Sequence, residues 1–188
     1  MPGSRFDRWS SSYDDSWLQR LYFDRIHTAV LSLAAEGQEP GVVLDVGCGT
    51  GRLLRDAGER WPGATLIGVD PAPGMISEAK QRSAGATFLV AAAEDLPLGD
   101  ASVDLAVSTI SFHHWPKKLE GLKEIARVLR PGGRLLLADH AVPEWLKALG
   151  SQALAPSAAS RLVTEAGLSV RRVAKLRFHV WAVEGQKL

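Results

Sequence analysis

Residues 42–51, with the sequence VVLDVGCGTG, decide how the rest of the chain is interpreted. The first five form a short, mostly apolar run rich in valine, which predicts a buried strand. The last five carry glycine at every second position, which permits a tight turn and leaves no side chain between the backbone and a ligand. A helical pattern follows at about 52–61. The segment therefore predicts a strand, a glycine loop and a helix, and open α/β sheets bind ligands at such a turn.

Apolar runs of the same kind recur along the chain and alternate with helical patterns. The runs that predict strands are 42–46, 65–69, 87–91, 103–110, 134–138, 168–173 and 177–183. The helical patterns are 17–35, 52–61, 72–83, a segment that opens at Pro116, and 158–166. Alternation of this kind indicates a parallel sheet that is covered on both faces, and the two closely spaced late runs indicate an antiparallel pair. We predict an α/β fold: a doubly wound, mostly parallel seven-stranded sheet with an antiparallel last strand.

Composition limits the class of protein. The chain has 188 residues, of which 46% are hydrophobic and 23% charged, and its formal net charge is +1. This balance is typical of a soluble globular protein and lacks the basic excess of a protein that binds nucleic acid. No apolar run approaches the roughly 20 residues that cross a bilayer, and residues 1–8 lack the apolar core of a secretory signal. Because Cys48 is the single cysteine, we expect a cytoplasmic protein without a disulfide.

Two acidic residues accompany the glycine loop. Asp45 lies inside the end of an apolar strand, where a carboxylate needs a partner. Asp70 ends the second strand, 21 residues beyond Gly49, where a carboxylate can accept both hydroxyls of a ribose. Dinucleotide enzymes use G-x-G-x-x-G, but Arg52 stands where the last glycine would be. Asp45 would repel a pyrophosphate and attract a cation, so the pattern favours S-adenosylmethionine, which carries a sulfonium, an ammonium and a ribose, over NAD.

Five short motifs occur in a fixed order within residues 42–139. They are VLDVGCGTG (43–51), GVDP (68–71), AEDLPL (93–98), SVD (102–104) and RVLRPGG (127–133). Together they resemble the class I S-adenosylmethionine-dependent methyltransferases, in particular the small-molecule, type 11 group that includes the ubiquinone and menaquinone biosynthesis enzymes. The segments FDRW (6–9) and YD (13–14) resemble the cap of that family. The resemblance implies one compact domain, with a cap segment and helix at 1–36 and a cofactor-binding methyltransferase domain at 37–188.

The resemblance also implies a role for individual residues. The loop backbone would line the methionine portion, Asp45 would organise the loop and the ammonium end, and Asp70 would hold the ribose. The implied cofactor-binding set is Tyr13, Asp45, Gly47, Cys48, Gly49, Gly51, Asp70, Pro71, Met75, Ala92, Ala93, Glu94 and Thr109. Many relatives carry Asp or Asn where Ala92 stands. The adenine amine is therefore bound here by the backbone, by Glu94 or Asp95, or by none of them.

The residues after the fourth strand, SFHHW (111–115), are candidates for work on the methyl acceptor. Methyl transfer needs alignment, exclusion of water and in some cases removal of a proton, and histidine accepts protons near neutral pH. His113 and His114 are the candidate bases, and the sequence does not separate them from each other or from a structural role. The other histidines are scattered, so we predict no metal site.

These inferences converge on one predicted function. The chain is expected to be an S-adenosyl-L-methionine-dependent methyltransferase that acts on a small organic acceptor and forms S-adenosyl-L-homocysteine. A protein that binds the cofactor without transferring methyl groups is the alternative, and Arg52 disfavours a nicotinamide-dependent oxidoreductase. Residues 108–111 (STIS) replace the Asn/Asp-Pro-Pro-aromatic motif of nucleic-acid amino methyltransferases, so no nucleic-acid partner is expected. We expect no membrane span and a monomer or homodimer; the acceptor atom stays open.

Overall fold

A computed structural model of the chain describes residues 17–141 and 154–188, with side chains from residue 21 onward. Its helices are α1 (Trp17–Ala35), α2 (Arg52–Arg60), α3 (Pro73–Arg82), α4 (Lys118–Val128) and α5 (Pro156–Glu165). Its strands are β1 (Val42–Val46), β2 (Thr65–Asp70), β3 (Ala86–Val90), β4 (Val103–Thr109), β5 (Leu129–His140), β6 (Ser169–Lys175) and β7 (Val180–Gln186). A 3₁₀ turn (Phe112–His114) follows β4. Within the described ranges, the five α-helices and seven strands follow the order that the sequence predicts.

The strands form one seven-stranded sheet in the order β3-β2-β1-β4-β5-β7-β6. The first five are parallel, and β7 is antiparallel to both β5 and β6. The predicted doubly wound, mostly parallel sheet is therefore confirmed, and its antiparallel strand is the last one. The chain runs outward from β1 to β3 and then returns to β4 on the other side of β1. The strand order thus reverses between β1 and β4, which is where open α/β sheets bind ligands.

Helices cover both faces of the sheet. On one face, apolar side chains of α1, α2 and α3 pack on strand residues that include Val43 and Val107. On the other face, α4 and α5 pack on residues that include Leu44 and Ala106. Because the central strands are buried on both sides, they read in the sequence as continuous apolar runs. In the described ranges, no helix combines the length and apolar character that crossing a bilayer requires.

The predicted boundaries shift on both sides of α4. The helix begins at Lys118 instead of Pro116, because residues 112–114 form the 3₁₀ turn and Trp115 is extended. β5 begins at Leu129, five residues before the predicted run 134–138, so residues 131–133 of the RVLRPGG motif lie inside it. The pairing of β5 with β4 changes register between Val103 and Leu105. Residues 131–133 therefore form an irregularity within a longer strand.

Candidate active site

A cavity of about 320 Å³ opens at the carboxyl ends of β1, β2 and β4, at the point where the strand order reverses. A volume of this size is at the lower end of the range for small-molecule sites. Its walls come from the glycine loop, the start of α3, the segment after β3 and the segment after β4. The lining residues are Val46, Gly47, Gly49, Asp70, Pro71, Ala72, Met75, Ala91, Ala92, Ala93, Glu94, Ile110, Ser111, His114, Trp115 and Pro116.

The three glycines of the loop are needed for different reasons. All three have positive φ, at +77° for Gly47, +52° for Gly49 and +76° for Gly51, a region that favours glycine. A Cβ on Gly47 would lie 1.8 Å from Ser111 Oγ, and one on Gly51 would lie 2.7 Å from the ring of Phe88. A Cβ on Gly49 would meet no described atom within 4 Å. Gly49 therefore leaves open the space that a ligand would fill, whereas Gly51 serves packing and lies outside the cavity lining.

Asp70 ties the glycine loop to the start of α3. Its Oδ2 accepts a hydrogen bond from the amide of Gly49 at 3.0 Å, and its Oδ1 accepts one from the amide of Ala72 at 2.9 Å. Each carboxylate oxygen can accept a second hydrogen bond. Asp70 also lines the cavity, so the same carboxylate can shape the loop and bind hydroxyl groups of a ligand.

Asp45 is buried at the end of β1 beside the loop, with 2% of its surface exposed. Its Oδ1 has no hydrogen-bond partner among the residues that the structure describes. Burial, and secondarily the charge of Asp70, raises the pKa of Asp45 to about 8. Within the described residues, this oxygen therefore lacks the hydrogen bond that a buried polar atom needs. A cation bound next to the loop would favour the ionised form.

Four described residues of the predicted cofactor set do not line this cavity: Asp45, Cys48, Gly51 and Thr109. Cys48 is buried in the apolar core on the face covered by α1, α2 and α3, and burial raises the pKa of its thiol, so it behaves as a small core residue. Its amide donates to the carbonyl of Val69. Thr109 ends β4, and the cavity wall begins one residue later, at Ile110. Tyr13 lies outside the described residues.

The two candidate histidines have different surroundings. His113 Nδ1 is 2.8 Å from Oδ1 of Asp139, whose side chain is 1% exposed, and the His113 amide donates to Oδ2 of Asp139 at 2.7 Å. His114 lines the cavity, and its ring centroid is 3.9 Å from that of His113. Burial, and then the neighbouring His113, lowers the pKa of His114, so it is neutral at pH 7. Asp139 thus fixes one histidine directly behind another that faces the cavity.

Sequence reasoning missed Asp139 and Ile110. Asp139 stands near the end of an apolar strand, as Asp45 and Asp70 do, so the same signal could have identified it. Ile110 has φ +52°, which is rare for a β-branched residue and has no signature in the sequence. Ser111 lines the cavity. In the two described ranges, no three His, Cys, Asp or Glu side chains are grouped to hold a metal ion.

Comparison with known proteins gives consistent matches. The family described as "Methyltransferase domain" matches residues 44–137, which is half of the chain. An uncharacterised methyltransferase of Mycobacterium bovis is 40% identical over 111 residues, which cover 57% of this chain and 44% of that protein. A malonyl-[acyl-carrier protein] O-methyltransferase of Serratia marcescens is 36% identical over 143 residues, 73% of this chain and 52% of that protein. The chain spans about half the length of the curated relatives it matches.

A similar solved structure comes from a complex of Haloferax volcanii between the Trm112 methyltransferase activator and a methyltransferase. It superimposes with a TM-score of 0.81 and 25% sequence identity, over 97% of each chain. The likeness therefore extends over the whole sheet and the helices on both faces.

Proposed function

This chain belongs to the methyltransferase domain family, and on that premise we propose that it transfers the methyl group of S-adenosyl-L-methionine to a small organic acceptor, releasing S-adenosyl-L-homocysteine. The observation that carries the proposal is the cavity at the strand reversal, which brings together Gly49, Asp70 and His114. The open space at Gly49 leaves room for a ligand. The buried acid Asp45, beside the loop but outside the cavity lining, favours a ligand that is cationic there.

The lining residues divide the cavity into regions suited to each part of the cofactor. The backbone of Gly47 and Gly49 would hold the methionine portion, and Asp70 the ribose hydroxyls. Pro71 and Met75 would flank the adenine. Glu94 lines the cavity beside Ala92, so we assign the adenine amine to its carboxylate or to the neighbouring backbone.

When bound, the cofactor supplies an electrophilic methyl carbon, whose bond to sulfur breaks as its bond to the acceptor forms. The protein contributes alignment of the reactants, exclusion of water and removal of the acceptor proton. We propose His113 as the base, because a carboxylate on Nδ1 leaves Nε2 as the proton acceptor and stabilises the imidazolium that forms. His114, whose ring lies against that of His113, lines the cavity next to this base.

A positioned base is useful only if the acceptor has a proton to lose. The name of the Serratia relative specifies transfer to oxygen. From the pairing of His113 with Asp139 we propose an acceptor that presents an O–H group, and a reaction that takes place in the cytoplasm without a nucleic-acid partner. The formal net charge of +1 is in keeping with a small-molecule substrate.

The proposal is tested with methyl-labelled S-adenosylmethionine and a fractionated metabolite extract. We expect label to pass to at least one fraction, with S-adenosylhomocysteine formed in equal amount. His113→Ala should slow transfer by about 100-fold or more, as expected for loss of a general base, and His114→Ala should have a smaller effect. Cofactor binding without transfer to any fraction would support the alternative of a binding protein.

A further inference from the structure

The stretch that joins β3 to β4 borders the cavity and contains no helix or strand. Its first residues, 91–94, line the cavity on the side where we place the adenine. Backbone hydrogen bonds fix its two ends: the amide of Ala91 donates to the carbonyl of Asp70 at 3.1 Å, and the amide of Ser102 donates to the carbonyl of Val128 at 2.8 Å. We call residues 92–100, which lie between these ends, the connecting loop. Loops of this kind are mobile unless other contacts hold them.

Two charged side chains of α4 bind the middle of the connecting loop. Arg127 donates from Nη2 to the carbonyl of Leu96 at 3.0 Å and from Nη1 to the carbonyl of Leu98 at 2.8 Å. Its Nη1 also lies 2.7 Å from Oδ1 of Asp100. Oε2 of Glu124 accepts a hydrogen bond from the amide of Leu96 at 3.1 Å. Four polar contacts therefore tie the loop to one helix.

These two side chains also bind each other. Nε of Arg127 lies 2.8 Å from Oε1 of Glu124, and Nη2 lies 2.7 Å from Oε2. Together with the three contacts to the loop, this bidentate pair uses all five N–H groups of the guanidinium. Hydrogen bonding to Arg127 lowers the pKa of Glu124, so the pair is ionised at pH 7. We call Glu124 and Arg127 the loop clamp, and lysine, which has a single nitrogen, does not reproduce its fork.

The loop clamp acts on the residues next to the cavity. Leu96, which the clamp binds at both its amide and its carbonyl, is buried and comes two residues after Glu94. A turn joins the clamped residue to the lining, since the amide of Asp95 donates to the carbonyl of Ala92 at 3.2 Å. The contacts of the clamp therefore determine where Ala92 and Glu94 lie.

The identity of residue 92 makes this placement important. Alanine has no polar side-chain atom for a purine, so an adenine beside Ala92 depends on Glu94 or on the loop backbone for recognition of its amine. Hydrogen bonds weaken steeply when their length or angle changes. Recognition of the amine therefore requires that the connecting loop keep one position.

We propose that the loop clamp determines the preference of this site for adenine, because Glu124 and Arg127 hold the connecting loop where it accepts the adenine amine. A carboxylate or carbonyl in that place accepts a hydrogen bond from the amine and repels the oxygen that hypoxanthine carries instead. Neither side chain of the clamp lines the cavity, so both are positioning residues. This inference rests on the proposed function, since it concerns the cofactor of that same site.

The test compares S-adenosylhomocysteine with its hypoxanthine analogue, S-inosylhomocysteine, by calorimetric titration. We expect the unmodified protein to prefer the adenine compound by about tenfold or more, and Arg127→Lys and Glu124→Gln each to reduce that preference to about threefold or less. A general loss of stability would weaken the binding of both compounds by the same factor and leave their ratio unchanged. The ratio therefore distinguishes positioning of the loop from a merely structural role.

Arg82→Lys is the matched control for the loss of a guanidinium. Arg82 pairs with Glu78 at 3.1 Å within α3, and its side chain is 33% exposed, compared with 32% for Arg127. We expect this variant to keep the adenine preference of the unmodified protein.

The outcomes separate the clamp from the proposed function. If S-adenosylhomocysteine does not bind to the unmodified protein, the proposed function fails and the clamp fails with it. If the unmodified protein binds both compounds equally, the clamp is overturned while cofactor binding stands. A preference that is unchanged in Arg127→Lys and Glu124→Gln, or that Arg82→Lys reduces equally, also overturns the clamp and leaves the proposed function standing.

Discussion

The buried carboxyl of Asp45 makes the stability of this protein depend on pH in a way that one isosteric substitution can isolate. Burial and the nearby Asp70 raise the pKa of Asp45 from the usual 3.8 to about 8. Below pH 3.8 the group is protonated in both the folded and the unfolded chain. As the pH rises from 3.8 to about 8, the unfolded chain loses this proton and the folded chain keeps it. Stability therefore falls with rising pH across this window.

The loss of stability can be calculated from the interval between the pKa values of Asp45 in the unfolded and the folded chain. A pH of 7 lies about three units above the pKa of this group in the unfolded chain, and each unit corresponds to about 1.4 kcal/mol. Between pH 4 and pH 7, Asp45 therefore lowers the free energy of unfolding by roughly 4 kcal/mol. This is an upper limit, because the interior can relax around the charge. In Asp45→Asn the amide has nearly the shape of the protonated acid and does not titrate. The variant should therefore gain stability over the unmodified protein as the pH rises from 4 to 7.

The assay is urea unfolding of both proteins at several pH values between 4 and 8, without cofactor. All other titrating groups are shared, so the difference between the two free energies of unfolding reports Asp45 alone. A difference that does not change with pH would refute the raised pKa of this buried carboxyl. The same substitution should weaken binding of S-adenosylmethionine, since the cation would lose its counter-charge. Asp45→Asn is thus expected to stabilise the protein without cofactor and to weaken its binding of S-adenosylmethionine.

Three further substitutions test the walls of the site. Gly49→Ala places a methyl group in the open space of the loop, at a residue with φ +52°. Calorimetry should show at least tenfold weaker cofactor binding. Unchanged affinity would mean that the cofactor does not occupy this space. Ala92→Asp adds a carboxylate to the lining where the adenine edge is expected. One additional hydrogen bond is worth about 1 kcal/mol, so cofactor affinity should rise about fivefold. A loss of cofactor affinity would contradict the assigned adenine position. Asp139→Asn removes the negative charge next to His113. The single-turnover rate should fall about 100-fold or more while cofactor affinity stays unchanged. A rate equal to that of the unmodified protein would exclude the His113–Asp139 pair as the base.

Much of the fold could be predicted from the sequence, because strands buried on both faces leave a strong pattern. The run 42–46 and the glycines that follow it indicate the strand, the turn and the ligand end of the sheet together. The same rule, an acid at the end of an apolar strand, identifies Asp70, which lines the cavity.

The parts that could not be predicted depend on tertiary contacts. His113 and His114 are adjacent in the sequence, and only the 3₁₀ turn and Asp139, 26 residues away, distinguish them. The run 177–183 has strand propensity throughout, yet β7 begins at Val180, because the antiparallel pairing with β6 needs a turn at Phe178 and His179. β4 ends at Thr109, one residue before the predicted end of the run at 110, because Ile110 has a positive φ.

The most direct test of the central claim is calorimetric titration of S-adenosylmethionine into three proteins: the unmodified chain, Asp70→Ala and Glu59→Ala. The last removes an exposed carboxylate from α2 and serves as a matched control for charge. The account predicts one site with micromolar affinity, at least tenfold weaker in Asp70→Ala, or about 1.4 kcal/mol, and unchanged in Glu59→Ala. No binding to the unmodified chain, or equal affinity for all three proteins, would contradict it.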